Sequence, residues 1–177
     1  MTEPNVQRAR ERLLVRDLMA VGVATCPPTT SIVDVARLLL EKQLEAIVVL
    51  DIEGEAVGVV TQDELVSAYS RDNCRALTAE DIMCAKVPQI PPDLSLPLAA
   101  QIMRDQHVRV VFQMHEAAGI RYPAASLSYR HLLRHLAASS DAELLDLGSA
   151  APRKLPLESF FERRDAARQS VKKNNTD

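Results

Sequence analysis

The segment Thr61-Gln62-Asp63-Glu64 places a hydroxyl group three residues before a carboxylate. This spacing is a signature of a helix N-terminus. The first turn of a helix leaves backbone N–H groups without partners, and such groups attract anions. The valine-rich run Ala56 to Val60 directly precedes this segment and fits a buried strand. The junction between this strand and this helix is therefore a candidate ligand site.

A second segment, RHLLRH, contains four side chains that can carry positive charge: Arg130, His131, Arg134 and His135. On one helix these side chains could hold phosphate groups, or they could form a basic face in contact with solvent. His131 and His135 are four residues apart, a spacing that lets two histidines reach one metal ion on a helix. The segment lacks the glutamate of a zinc-protease motif and a third ligand, so we predict no metal site.

The remaining chemistry of the sequence argues against an enzyme. Cys26, Cys74 and Cys84 are odd in number and form no C-x-x-C pair, so neither a disulfide framework nor a thiolate metal site is predicted. Cys26 precedes a proline pair, where it is either a buried small apolar residue or a redox sensor. The sequence has no P-loop, nucleophile elbow or dinucleotide fingerprint. We therefore predict no catalytic residues and no required cofactor.

Composition limits the class of protein and its partners. The chain has 177 residues, of which 47% are hydrophobic, enough for one domain or two small ones. A net charge of -3 and an aromatic content of 3% argue against nucleic-acid binding. The sequence has neither an apolar run long enough to span a membrane nor an apolar core for secretion near its start. These features predict a cytoplasmic protein with no membrane partner.

The order of predicted elements begins with a helical turn and ends with the helix that follows Thr61. Gly54 lies between two short apolar runs and supplies the positive φ of a hairpin turn, so these two strands should pair antiparallel. Ser31 and Asp34 mark the start of an amphipathic helix. The predicted elements are a helical turn over Val15 to Met19, strands over Val21 to Cys26, Ala46 to Leu50 and Ala56 to Val60, and helices over Ser31 to Gln43 and Gln62 to Tyr69.

From Leu77 the same order of elements begins again, which indicates an internal duplication. TAEDIM matches LVRDLM, and QIPPDLSLPLAAQIM matches TCPPTTSIVDVARLL, each 64 positions later because 83 − 19 = 64 for the two methionines. SLSYRHLL matches VVTQDELV at an offset of 128 − 61 = 67, so the second turn is longer by three residues. We therefore predict one repeat over residues 14–73 and a second over residues 77–139.

Both ends of the chain lie outside the repeats. Residues 1–13 form either a tail or a helix. Residues 140–177 form an extension that we predict to be partly helical with a mobile end. In it, Ser140 and Glu143 resemble a capping box, and Gly148 would end the short helix. The later segment Leu157 to Val171 is either a solvated tail or a helix that docks on a partner.

The duplicated order of helical turn, strand, proline pair, helix, hairpin and G-h-h-[TS]-x-x-D motif resembles the cystathionine-β-synthase (CBS) domain, here as a CBS pair or Bateman module covering Val15 to Ala138. The resemblance implies an α+β fold of tandem repeats, each a small mixed sheet packed on helices, related by pseudo-twofold symmetry. It also implies clefts between the repeats that bind adenosine-containing ligands, a homodimer formed through the helices, and a regulatory role toward an unidentified protein.

The resemblance also assigns site residues. In repeat one the family's Gly and Thr fall on Gly58 and Thr61, and Glu64 replaces its Asp, beside a second acidic residue that disfavours a polyphosphate. In repeat two the Thr position is Ser128, and His131 replaces the Asp, next to Arg130. Backbone contacts to a base are implied from Ala24, Thr25 and Ile47 in repeat one and from Pro88, Gln89 and Val111 in repeat two.

Two functions follow from this resemblance. The first is a sensor of an adenosine-containing ligand of the AMP, ADP, ATP, NAD or S-adenosylmethionine type. The alternative is a structural or interaction dimer that has lost its ligand, as the replacements at Glu64 and His131 permit.

Overall fold

The computed structural model describes residues 13–138, and all structural statements below concern these residues. The helices are α1 (Val15–Leu18), α2 (Ile32–Glu41), α3 (Gln62–Tyr69), α4 (Ala79–Ile82), α5 (Leu96–Asp105) and α6 (Tyr129–Ala137), with a 3-10 helix at Cys74–Ala76. The strands are β1 (Ala20–Val21), β2 (Thr25–Cys26), β3 (Ala46–Leu50), β4 (Ala56–Thr61), β5 (Val110–Ala117) and β6 (Ile120–Ser128). The fold is mixed α+β, with small sheets on helices, as the sequence predicted.

The first sheet has the strand order β2-β3-β4. The hairpin β3-β4 is antiparallel, as predicted, and β2 lies parallel to β3 on the other side. Gly54 has a φ of 90°, a conformation that glycine adopts without steric strain. The predicted strand Val21 to Cys26 is instead two short strands, because the chain turns at Gly22, whose φ is also 90°.

The second sheet has the strand order β1-β6-β5. Its hairpin turns at Ala118 and Gly119, which have φ values of 53° and 79°. Two consecutive residues with positive φ are typical of a two-residue type I′ turn. The three residues that repeat two gains over repeat one therefore lengthen the strands, to eight and nine residues, and not the turn itself.

The described residues divide into two compact units that are not continuous in sequence. Unit 1 contains residues 13–21, 88–113 and 124–138, and unit 2 contains residues 22–87 and 114–123. Each unit has its own hydrophobic core. The core of unit 1 includes Leu18, Met103, Val111 and Leu127, and the core of unit 2 includes Val35, Ile47, Val49 and Val60. The repeat boundaries predicted above are periods of the sequence, and they stay a prediction.

Matching hydrogen bonds explain why the units are discontinuous. In unit 1 the N–H of Val15 in α1 donates to the carbonyl of Leu94 at 2.8 Å. In unit 2 the N–H of Ala79 in α4 donates to the carbonyl of Thr30, also at 2.8 Å. Each pair is the other shifted by 64 residues, with donor and acceptor segments exchanged. The short helix that opens each sequence period is therefore built into the unit formed mainly by the other period.

The ends of α2 and α5 show the duplication at a level that sequence matching missed. Gln43 and His107, which are 64 residues apart, both adopt left-handed backbone conformations with φ of 52° and 54°. After them, the N–H of Leu44 donates to the carbonyl of Leu39 at 2.8 Å, and Val108 makes the equivalent bond at 2.9 Å. Glycine is the usual residue in such a cap, so neither end was apparent from sequence.

Within residues 13–138, no helix combines the length and the apolar character that crossing a membrane requires.

Candidate functional site

The residues assigned to repeat one lie together at one end of the β2-β3-β4 sheet in unit 2. Thr61 at the end of β4 pairs with Ala46 at the start of β3, and Ile47 pairs with Val60. The carbonyl of Ala24, just before β2, accepts a hydrogen bond from Val48 at 3.0 Å. The starts of β2 and β3 therefore meet the junction between β4 and α3, with Thr25 as the first residue of β2.

A reciprocal capping box occupies the start of α3. The N–H of Asp63 donates to Thr61 Oγ1 at 3.1 Å, and the N–H of Thr61 donates to Glu64 Oε2 at 2.8 Å. The Thr61 hydroxyl also donates to Glu64 Oε2. Two donors therefore occupy one oxygen of the carboxylate that replaces the family's aspartate. Only Glu64 Oε1 is left to accept a hydroxyl from a ligand, so this group offers one acceptor oxygen and not two.

Gly58 has a packing role in this unit. A Cβ atom built at Gly58 would lie 2.5 Å from Met83 Sδ and 3.0 Å from the carbonyl oxygen of Cys84. That carbonyl accepts a hydrogen bond from the N–H of Val59 at 2.9 Å, which fixes residues 83–84 against β4. Gly58 is required here because another backbone segment approaches it closely. Its place in a nucleotide site stays a prediction.

The residues assigned to repeat two lie together in unit 1 in the same way. The N–H of Phe112 donates to the carbonyl of Pro88 at 2.9 Å, and Gln89 forms a parallel bridge with Phe112. Val111, the residue before it in β5, is fully buried. Strand β6 ends at Ser128, where α6 begins. The twelve predicted residues therefore form two groups of six, one in each unit, and binding by them stays a prediction.

His131 takes the place of the glutamate in the cap of α6. The N–H of Ser128 donates to His131 Nδ1 at 3.0 Å, and Ser128 Oγ lies 3.2 Å from the same nitrogen. A backbone N–H can only donate, so Nδ1 is the acceptor and the imidazole is neutral with its proton on Nε2. Burial, followed by the positive charges of Arg134 and Arg130, lowers the pKa of His131. The neutral ring that the cap requires is thus the favoured form.

The sequence analysis missed this cap, although a signal for it was present. Ser-x-x-His occupies the same place in repeat two as Thr-x-x-Glu in repeat one. Two further caps repeat with the 64-residue offset, because the N–H groups of Leu14 and Thr78 donate to the carboxylates of Asp17 and Asp81 at 2.9 and 2.8 Å. The hydrogen bonds from Thr78 lower the pKa of Asp81.

We predict that His131 makes the stability of the protein depend on pH. Folding lowers the pKa of His131 below 6.5, so the unfolded chain takes up this proton first as the pH falls. The stability that the neutral ring contributes is complete above the unfolded-state pKa and is lost as the pH falls through the folded-state pKa. His131→Gln keeps an acceptor for the cap without a titrating group. This variant should lose less stability than the wild type between about pH 8 and about pH 5.5 in urea unfolding.

The control for this experiment is His115→Gln, which changes an exposed histidine in β5, away from any helix cap. This control should keep the wild-type dependence on pH. Equal pH dependence in His131→Gln and the wild type would contradict the role of His131.

Two further candidates for chemistry have a defined environment. Burial raises the pKa of the Cys26 thiol, and a hydrogen bond with Thr30 opposes this change. A raised pKa disfavours the reactive thiolate, which fits a buried apolar role better than redox sensing. Among residues 13–138 no three His, Cys, Asp or Glu side chains are grouped so that they could hold a metal ion.

Comparison with known proteins gives the class of protein. Residues 15–71 match the model of the CBS domain family. A CBS-domain protein from Agrobacterium tumefaciens has a similar structure, with 23% identity, a TM-score of 0.62, and coverage of 71% of this chain and 94% of that chain. Residues 15–71 are thus a CBS domain.

Two solved structures with bound ligands are also similar. The CBS domain pair of protein MJ0100, in complex with 5-methylthioadenosine and S-adenosyl-L-methionine, has 20% identity, a TM-score of 0.61, and coverage of 70% of this chain and 95% of that chain. CBSX2 in complex with AMP has 21% identity, a TM-score of 0.56, and coverage of 70% and 95%. The chain therefore has the fold of a CBS-domain pair.

Proposed function

We propose that this protein is a regulatory, non-catalytic CBS-pair protein that binds an adenosine-containing ligand and passes the signal to a partner protein. The candidate ligands are of the AMP, ADP, ATP, NAD and S-adenosylmethionine type. The observation that carries the proposal is the pair of equivalent junctions at Thr61 and Ser128, each joining the end of a strand to a capped helix. The similar fold of MJ0100 and CBSX2, whose structures contain adenosine derivatives, supports the same ligand class.

The two junctions differ in charge, which supports a difference in ligand preference. The first turn of α3 carries Asp63 and Glu64, and their negative charges repel phosphate groups. This junction suits a nucleoside or a cationic sulfonium ligand. The first two turns of α6 carry Arg130 and Arg134 and no acidic residue, so this junction suits a phosphate. A ligand of the AMP type should therefore place its phosphate in unit 1.

A homodimer formed through the helices is part of this proposal. On α3, Val66 is 72% exposed and Tyr69 is 82% exposed, and their three-residue spacing places them on one face. A second copy could cover this pair. The regulated partner protein is a separate component, and nothing in the sequence of the described residues names it.

We expect at least one adenosine derivative to raise the melting temperature of the full chain. A ligand at 100 times its dissociation constant stabilises a protein by about 2.7 kcal/mol. The panel is AMP, ADP, ATP, NAD and S-adenosylmethionine, each followed by differential scanning fluorimetry. Thr61→Val, which removes the hydroxyl, should weaken binding of S-adenosylmethionine and should lower the unliganded stability by about 1 kcal/mol through loss of the cap.

Thr61→Ser is the matched control, because it retains both the cap and the hydroxyl. Each shift is measured against the unliganded melting temperature of the same variant. No shift with any ligand would contradict the sensor proposal. That result would favour a structural CBS dimer, a function that the use of Glu64 and His131 in helix caps also suits.

A further inference from the structure

Helix α6 has an exposed apolar pair close to the end of the described chain. Leu133 is 62% exposed and Leu136 is 74% exposed, and the two are three residues apart on one face of the helix. The outer face of α6 is formed by five exposed residues, Arg130, Leu133, Arg134, Leu136 and Ala137. This face therefore combines two leucines with two arginines.

The segment that follows α6 in sequence is complementary to this face. Residues 139–148, SSDAELLDLG, contain three acidic residues, three leucines and no basic residue. Helix α6 contains two arginines, two histidines and no acidic residue. Opposite charges flank apolar side chains in both segments, and the chain connects them directly.

The spacing of the two segments is also complementary. Leu136 and Leu144 each lie four residues from Ser140, and Leu133 and Leu147 each lie seven residues from it. Arg134 and Asp146 each lie six residues from it. When two antiparallel helices are joined by a short connection, residues at equal distances from the turn face one another. A turn at Ser140 would thus place leucines opposite leucines and a carboxylate opposite an arginine.

We propose that residues 139–148 fold back on the outer face of α6, covering Leu133 and Leu136 and pairing Asp146 with Arg134. Helix α3 provides an internal comparison, because its exposed Val66 and Tyr69 are the equivalents of Leu133 and Leu136 at the 67-residue offset. The chain after α3 continues into the 3-10 helix Cys74–Ala76, and residues 70–76 contain no leucine. The complementary segment thus belongs to α6 alone of these two helices.

An engineered thiol pair in the full chain tests this proposal. The variant carries Leu133→Cys and Leu147→Cys, with Cys74→Ser and Cys84→Ser to remove the native thiols that are not buried. Disulfide formation is measured at equilibrium in a glutathione redox buffer, first under native conditions and then in concentrated guanidinium chloride. Docking should raise the effective concentration of the two thiols by about 100-fold or more over the unfolded chain.

Charge substitutions provide the matched controls. Arg134→Asp should lower the native effective concentration, and adding Asp146→Arg to it should restore the value. Equal effective concentrations in the native and unfolded chains would overturn the proposal. A disulfide between two chains, seen as a dimer by mass spectrometry, would also overturn it, because a second copy would then cover this face.

If the cysteine variant loses its circular dichroism signal, hydrogen exchange of the unmodified chain decides the question. The amides of residues 141–147 should then exchange at least about ten times more slowly than in an unstructured peptide of the same sequence. Exchange at the rate of that peptide would overturn the proposal.

Discussion

Replacing Phe112 with alanine should lower the free energy of unfolding by about 3–5 kcal/mol, the range for truncation of a buried phenylalanine. Phe112 is only 1% exposed, and it is among the largest fully buried side chains. Its backbone also accepts from the N–H of Ile90 at 3.0 Å and donates to Pro88 at 2.9 Å. The cavity would therefore open beside the residues that hold Pro88 and Gln89 in the candidate site.

Urea unfolding followed by circular dichroism measures this effect. Leu40→Ala is the control, because Leu40 is 78% exposed on α2 and its truncation should change stability by no more than about 0.5 kcal/mol. Similar losses in the two variants would contradict the assigned position of Phe112 in unit 1.

Gly58→Ala should destabilise the protein by about 1–3 kcal/mol, the usual range for an added methyl group in a packed interior. The added Cβ would overlap Met83 Sδ and press on the backbone carbonyl of Cys84. The methionine side chain can move, but the carbonyl is held by hydrogen bonds between residues 59 and 84. The expected result is a lower urea midpoint with a nearly unchanged dependence on denaturant.

A double-mutant cycle with Met83→Ala tests the cause of this loss. Removing the methionine side chain should make the Gly58→Ala substitution less destabilising than it is in the wild type. An equal loss in both backgrounds would mean that Met83 does not limit the space at Gly58. The comparable position in unit 1 is Ala125, which is buried with its methyl group in place.

The sequence predicted the hairpins, the helices and the duplication because hydrophobic periodicity, proline pairs and capping residues are local signals. Pro97 near the start of α5 and Ser31 before α2 are examples that the structure confirms. The exchange of the opening helices α1 and α4 between the two units could not be predicted in this way. It depends on hydrogen bonds between segments about 50 to 80 residues apart, such as those of Val15 and Ala79.

The candidate site was predictable in its location and less so in its chemistry. Sequence placed Thr61 and Glu64 at a helix start, but the side chain that a ligand would need is engaged by the helix itself. His131 was predicted only as a replaced carboxylate, although it caps α6 as an acceptor. Side-chain direction decides both outcomes, and residue spacing alone does not determine it.

A crystal structure of the full chain grown with AMP is the most direct test of the proposed function. The account predicts that the AMP phosphate lies within hydrogen-bond distance, about 2.7–3.2 Å, of Ser128 or of the guanidinium groups of Arg130 and Arg134. A phosphate bound beside Asp63 and Glu64, or the absence of AMP from both junctions at saturating concentration, would contradict it.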